Sequence, residues 1–484
     1  MNADANYPMP ESPQRPGLLI PLVVAIAFLM EQLDATIVTT AIPDMAGSLH
    51  VTVVRMSLAV SAYVLALAVF IPLSGWFADR FGARRVFAAA LAVFTIGSAL
   101  CGIADSFAML VATRILQGLG GAMMTPVGRL ILLRSFPRSE LVRAMTYTTL
   151  PAIAGPVIGP LLGGYLTTYL SWRWIFYINL PFGLIGIALA LRFVAPMRAD
   201  EVPPFDLTGF TLFCAGVALL QFAMEGIGRV PGIVPAAAVA VAGILLVGFA
   251  RRSRGQPHPA IDLSLLRERT FGVATLAGGL CRVAMNAPVY LLPLLLQLGL
   301  GMSPAESGSL TFLSALAAPL VRVAIGPALR RTGFRGLLIG SALACAGMLA
   351  AFARIGPGTP RVAIATVIIL FGLVRSTQFM TSNTLAYAEV DADRLSRATS
   401  LGGLIQQLTV SFGVSMGAAF LGLLTPARST PTVATFHAVF TLIAALPILA
   451  LPAFTRLRHS DGVEVSGHAA ATGRRSPGTG RSRG

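Results

Sequence analysis

The 484-residue chain contains no lysine, so its 36 basic residues are all arginine. No G-x-x-x-x-G-K-[ST] run occurs. A phosphate-gripping loop needs that lysine, so ATP hydrolysis is excluded as an energy source. Charge is scarce, at 12% of residues, where a soluble domain carries about 25%. Cysteine is scarce too. Cys101, Cys214, Cys281 and Cys345 all fall inside apolar runs, and none has C-x-x-C spacing. They read as small packing residues, with no metal site. The five histidines are scattered, with no H-E-x-x-H and no Ser/His/Asp grouping, which argues against an enzyme. The two-residue alternation of a membrane barrel is also missing, which leaves helices as the way to span a bilayer.

What is present is apolar length. Mean hydropathy is +0.77 and 55% of residues are hydrophobic. Runs of about 20 residues recur, each long enough to cross the hydrocarbon as a helix. The reading is an all-α membrane protein with about fourteen spans: two six-helix pseudo-repeat bundles flanking two additional central helices. Residues 1–17 form a cytoplasmic N-terminus and 18–193 the first bundle. The extra pair is 206–250, the cytoplasmic linker 251–269, the second bundle 270–455, and the disordered cytoplasmic tail 456–484. The run from Leu18 is not read as a cleaved signal peptide, because Glu31 and Asp34 follow it where a small-x-small site belongs.

The net charge is +16. In a soluble protein that points to nucleic acid; here short loops account for it, and no nucleic-acid partner is expected. With the N-terminus placed inside, 25 arginines fall on the inner side, six on the outer, and five within spans. This asymmetry predicts cytoplasmic termini in a multi-pass protein of the cell (inner) membrane.

Between two oily runs stands GWFADRFGARR, Gly75 to Arg85. A weaker copy, GPALRRTGFR, runs from Gly326 to Arg335, at a constant offset of 251 residues. Arg80 aligns with Arg331, Gly82 with Gly333 and Arg84 with Arg335, while Arg330 stands opposite Asp79. Such repeats mark transporters whose halves rock about a central site. Glycines at Gly75 and Gly82 permit a tight turn and close helix approach. Asp79 is suited to pair with an arginine or accept from a helix N-terminus, forming a clasp of Gly75, Asp79, Arg80, Gly82, Arg84 and Arg85 that holds one conformational state. Simple anchoring of the loop on the inner side accounts for the arginines alone.

The knot resembles the loop signature of the major facilitator superfamily, with Phe77 and Ala83 as mild departures. LDATIVTTAIP, Leu33 to Pro43, is similar to the first-helix signature of its fourteen-helix drug:proton antiporters. RILQGLGGAMMTP, Arg114 to Pro126, and GPVIGPLLGG, Gly155 to Gly164, resemble the fourth- and fifth-helix signatures, and WRWIFYINLPFG, Trp172 to Gly183, the segment that follows. Thr146 departs from the longer fifth-helix form, which has glycine there. The resemblance runs to about residue 455.

Ionisable residues inside a membrane are costly and mark function by default. Glu31 and Asp34, three apart, share a helix face. Two close acids do not ionise together cheaply, so one can load and release a proton, or hold a cation when empty. The resemblance places the weight on Asp34. Glu31 also reads as an arginine's partner or a vestibule residue. Arg114, beside Gln117, must face an acid or water. The resemblance implies a coupling role that pairs it with Asp34 or Glu31, and a structural tie is the alternative. Gly155, Gly159 and Gly163 line one helix face, with Pro156, Pro160 and Gly164 beside them. The resemblance implies a pliable, leak-sealing helix between the halves, and plain tight packing gives the same sequence. Arg282, Arg322 and Arg375 have no obvious acid, which suits a cavity for an anionic or zwitterionic cargo, or snorkelling. In the extra pair, Glu225 is placed near the outer end of its span, reaching water and not needed for coupling.

The resemblance implies proton-coupled efflux of amphipathic toxic compounds, with protons, small-molecule cargo and lipid as partners and no cofactor beyond the proton gradient. A periplasmic adaptor is a candidate further partner. The competing readings are a facilitator or importer of a small anionic metabolite, and a transport-inactive membrane sensor.

Overall fold

A computed structural model describes residues 19–136, 138–198, 202, 204–254, 256, 261–391, 394–426, 429–466 and 468. The expected N-terminal segment 1–17 and residues 469–484 of the expected tail lie outside the described residues. Among the described residues there is no strand. The N half contains α1 (Leu19–Ile37), α2 (Ile42–Ser48), α3 (Val53–Phe70), α4 (Leu73–Phe81), α5 (Ala83–Gly102), α6 (Phe107–Ser135), α7 (Arg138–Tyr169), α8 (Trp174–Tyr177) and α9 (Asn179–Phe193). The extra pair is α10 (Leu207–Gly226) and α11 (Ile233–Arg254). The C half contains α12 (Arg269–Leu294), α13 (Pro304–Ala315), α14 (Ala317–Phe352), α15 (Arg361–Ala388), α16 (Leu395–Leu424) and α17 (Val433–Phe454), followed by the short α18 (Val463–Ser466).

Local sequence explains where helices start. Thr52, Ser106, Asp206 and Thr432 each accept a backbone N–H of the first turn of α3, α6, α10 and α17. Ser303 and Glu306 close a reciprocal capping box on α13. These side chains satisfy amides that a helix start leaves unpaired.

Among the described residues, twelve helical stretches are long and apolar enough to cross a membrane. One of them is the 49-residue run Pro304–Phe352, which Gly333 breaks with φ 64°, ψ 175°. α7 is not among the twelve, and several of its side chains lie outside the described residues. Fourteen spans is compatible with this count and is not established by it. The sequence repeat has a backbone counterpart: Gly82 (φ 92°) separates α4 from α5, and its partner Gly333 interrupts α14. Both sit in the left-handed region, where a Cβ is penalised. Gly75 departs from expectation. It lies within α4, and a Cβ there would meet nothing within 4 Å, so it makes neither turn nor close contact.

The buried apolar residues divide unevenly. One cluster unites the C half with Leu33, Ile37, Ile42, Met56, Trp172 and their neighbours, which lie toward the end of the N half away from Asp79. The second is drawn from the N half alone, around Phe28, Phe87, Phe94 and Leu132, toward the knot. Three hydrogen bonds join the halves at the far end, Tyr290 Oη to Val53 O at 2.7 Å, Gln297 Nε2 to Thr40 O at 2.9 Å, and Ala305 N to Thr168 Oγ1 at 3.0 Å, and Ser411 Oγ donates to Ser61 O at 3.2 Å nearer the middle of α3. There a Cβ on Gly164 would overlap Pro304 O, and one on Gly308 would overlap Pro160 O. Large apolar side chains such as Ile233 (75% exposed), Val323 (81%) and Val362 (78%) cover the outside, a surface suited to lipid.

Two expectations for the hydrophilic segments change. In place of disorder from Arg456 onward, residues 456–466 fold back: Asp461 pairs with Arg269, and Gly462 N donates to Glu389 at 2.9 Å. A composition rich in Gly, Ser and Arg signals disorder only while no partner is near, and here buried Asp461 supplies one. The described part of the linker is tied to protein: Arg252 pairs with Asp206, and Arg394 with Asp262 and Glu268. Burial pushes the Asp262 carboxyl up, but hydrogen bonds from Ser264 and the charges of Arg394 and Arg397 outweigh it and hold the group below the usual carboxylate range.

Candidate functional site

The first-helix acid and the fourth-helix arginine meet. Arg114 Nη1 lies 2.6 Å from Asp34 Oδ2, with side-chain exposures of 1% and 0%. Gln117, one turn along α6, accepts from Arg114 at 2.7 Å and donates Nε2 to Asp34 Oδ1 at 2.8 Å. The spacing of Arg114 and Gln117 puts both on one face of α6. Arg114 also donates Nε to Ala59 O at 3.2 Å, and its guanidinium stands 4.1 Å over the Tyr63 ring. The room for this comes from small residues: a Cβ on Gly118 would lie 2.6 Å from Tyr63 O, and one on Gly120 2.5 Å from Phe94 N. Of the two partners open to Arg114 in the sequence, the structure selects Asp34.

Glu31 is built differently. It is 6% exposed and accepts from Thr125 Oγ1, about two turns beyond Gln117 on α6. Among the described residues it makes no ion pair, although the charge of Arg129 acts on it. The two acids share a helix face without sharing a partner. Sequence reasoning missed three neighbours. Asn179 approaches Asp34 at 3.5 Å and donates to Ser98 at 3.1 Å. Thr125 and Arg129 attend Glu31. Asn179 and Thr125 stand in the very stretches that carry the family resemblance, which was the available signal.

The glycine stripe serves α1. A Cβ on Gly155 would lie 2.8 Å from Leu33 N, and those on Gly159 and Gly163 would overlap Thr36 Oγ1 and Ile37 O. These three glycines therefore hold α7 against the helix of Asp34, within the N half. Gly164 and Pro160 of this helix meet the C half through Pro304 and Gly308, and Thr168 meets it through Ala305. Pro151, Pro156 and Pro160 lie inside one continuous helix.

At the knot, Asp79 pairs with Arg134 of α6 at 2.8 Å, both about one-third exposed. The partner lies outside the knot and inside the same half. Arg80, Arg84 and Arg85 form no ion pair among the described residues. Arg282 and Arg375 bond to Asn383 and Asn286. Arg322 is exposed on α14 beside Leu320 and Val323, apart from that pair, so it does not complete a set of three.

Glu225 overturns its expected place. It is 6% exposed, not water-facing. It accepts from Ser57 and Ser61 of α3 at 3.0 Å each and from Ser415 of α16 at 2.7 Å, and it pairs with Arg229 at 2.9 Å. Gln221, one turn away, bonds to Ser415 and accepts from Ser411. Counting polar residues along α10 gave no hint of the serines that two other helices bring.

Comparison with known proteins agrees with this architecture. The Major Facilitator Superfamily pattern matches residues 24–414. The "Putative multidrug resistance protein MdtD" of Pectobacterium atrosepticum is 37% identical, over 89% of this chain and 93% of its own length. Its namesake in Klebsiella pneumoniae is also 37% identical, over 91% and 94%. Among solved structures, an auto-inhibited POT family peptide transporter superimposes with TM-score 0.65 at 17% identity, covering 93% of this chain and 98% of that one; the likeness is one of fold. With helices fit to span a membrane and relatives of this kind, the chain is a multi-pass membrane transporter rather than an enzyme, and it belongs to the major facilitator superfamily, in its drug:proton antiporter family.

Proposed function

We propose that the protein exports amphipathic drugs or other toxic small molecules across the cell (inner) membrane in exchange for protons, by alternating access, with both termini in the cytoplasm. The observation that carries this is the Asp34–Arg114–Gln117 node. A buried ion pair is costly to assemble, and removing the charge of one partner is costlier still. Protonation of Asp34 turns its carboxylate into a weaker partner for Arg114, which frees the guanidinium to shift onto Gln117 Oε1 and Ala59 O, both already in reach. A proton thus changes the packing of α1 against α6. The glycine stripe passes that change to α7, whose Gly164 and Pro160 touch the C half. Contacts between halves concentrated at the far end support a state closed there; the arginine asymmetry assigns the knot end to the cytoplasm. The names of the MdtD relatives support drugs as cargo, and energy comes from the proton gradient with no cofactor.

The test uses purified protein in vesicles with an acidic lumen and a panel of fluorescent amphipathic dyes. Dye should accumulate above the level of protein-free vesicles, and a protonophore should collapse the accumulation. Dye that equilibrates without regard to the pH gradient would indicate a facilitator. No dye transport at all would favour the sensor.

The knot gives a smaller prediction. The Asp79–Arg134 pair is partly exposed, and such pairs are worth about 0–1 kcal/mol. Asp79→Asn should therefore slow turnover by no more than roughly fivefold and leave cargo affinity unchanged, because the pair biases conformations without touching cargo. Turnover and equilibrium dye binding check this. Lost affinity with an unchanged conformational distribution would show that the clasp reading is wrong.

A further inference from the structure

The C half holds cations, one buried and one half-buried, whose partners are neutral. Arg282 on α12 is 5% exposed, donates Nη2 to Asn383 Oδ1 at 2.7 Å, and stands 5.2 Å over the Phe379 ring. Its Nε is buried with no hydrogen-bond partner. Arg375 on α15 donates to Asn286 Oδ1 at a long 3.4 Å. Asn286 is one turn on from Arg282, and Arg375, Phe379 and Asn383 recur every four residues along α15. The four groups therefore share the stripe where α12 and α15 face each other, as two crossed Arg–Asn pairs. Neither arginine forms an ion pair among the described residues, whereas Arg114 in the N half has Asp34 at 2.6 Å.

An arginine within the bilayer costs about 2.5–3.5 kcal/mol when unpaired. A guanidinium offers five N–H donors, and an asparagine carbonyl accepts one or two without neutralising the charge. A structural tie between α12 and α15 needs no charge; two neutral amides would serve. Two cations on one stripe call for an anion that the protein does not provide.

We propose that the cargo supplies the missing charge. It is a carboxylate-bearing amphiphile that docks on Arg282, with Arg375 adding positive field a turn or more away. The planar guanidinium takes a carboxylate through two parallel hydrogen bonds, and its unpartnered Nε offers one of them. This narrows the export reading and rests on it for the statement that the bound molecule is carried.

The test compares two dyes that differ in one group: rhodamine 110, with a free carboxylate, and its methyl ester rhodamine 123. Binding to the purified full chain is read by fluorescence anisotropy. The free acid should bind at least tenfold tighter than the ester, the effect of one charge-assisted hydrogen bond of about 1.4 kcal/mol. Arg282→Gln should erase the preference and leave ester affinity within twofold, which also reports that the variant is folded. Arg375→Gln should reduce the preference in part. Equal binding of acid and ester to the wild type, no saturable binding of the acid, or a preference that survives in the double variant overturns the proposal. The two readings fail separately. Arg282-dependent binding of the acid that never responds to a pH gradient in vesicles sinks export and leaves the site. Gradient-driven uptake of the free acid to the same extent in wild type and double variant leaves export and sinks the site.

Discussion

Asp34→Asn should abolish gradient-driven dye accumulation while the protein still reaches the membrane. Asparagine keeps the shape of the side chain and its acceptor for Gln117 Nε2, but it neither titrates nor carries charge. The structure adds a cost that must be separated from loss of coupling. Arg114 is 1% exposed, and a buried charge stripped of its partner loses about 3–5 kcal/mol. Gln117 Oε1, Ala59 O and the Tyr63 ring remain to it, so partial compensation is at hand. The double variant Asp34→Asn with Arg114→Gln removes both charges and should recover thermal stability but no coupling. Substrate-driven proton release from proteoliposomes decides the matter. Near-normal release from either variant would remove Asp34 from the mechanism and turn attention to Glu31.

Gly308→Leu should trap the transporter with its far end parted. Any Cβ at this position overlaps Pro160 O, and Gly164 Cα lies 3.3 Å away. The obstacle is backbone, so no rotamer change relieves it. Overpacking of this kind costs about 1–3 kcal/mol. Taken at about 2 kcal/mol and felt only in the far-end-closed state, it shifts the equilibrium roughly 30-fold. Transport should fall by at least that factor. A cysteine placed at Thr40, fully buried at the closed end, should be shielded from a bulky maleimide in the otherwise wild-type protein and react in Gly308→Leu. Continued shielding together with retained transport would mean that the close contact at Gly164 and Gly308 does not govern the closure.

The parts of this site that were legible in the sequence are those whose function imposes a residue type at a fixed spacing. Asp34 and Arg114 stand out because a charge in an apolar run is expensive, and Gln117 follows because it shares Arg114's helix face. Gly82 and Gly333 were legible because a left-handed backbone admits few other residues, and the offset between them is constant. Contacts across helices were less so. Periodicity says which side of a helix a residue occupies; it does not say which neighbour that side meets. Hence Thr125, Arg129 and Asn179 went unassigned, Arg134 was not matched to Asp79, and the glycine stripe was expected between the halves when it serves α1. The misplacement of Glu225 has the same origin. An acid near the end of a span reads as wet unless one knows that serines from two other helices surround it, and serine carries little signal of its own.

That last cluster bears on the geometry of motion. Rocking one half against the other is a two-body movement, in which everything belongs to one side or the other. Glu225 and Gln221 belong to neither, because they hold Ser57 and Ser61 on α3 and Ser411 and Ser415 on α16 at once. If the halves rock as proposed, α3 and α16 separate, and the added helices cannot remain at rest relative to both. They must slide along a polar seam, trading one pair of hydroxyls for water or for the next serine a turn away. The four-residue spacing of the serines on each helix gives that seam regular steps, about 6 Å apart. The cycle is then a three-body problem, and its slow step need not lie at the cargo site.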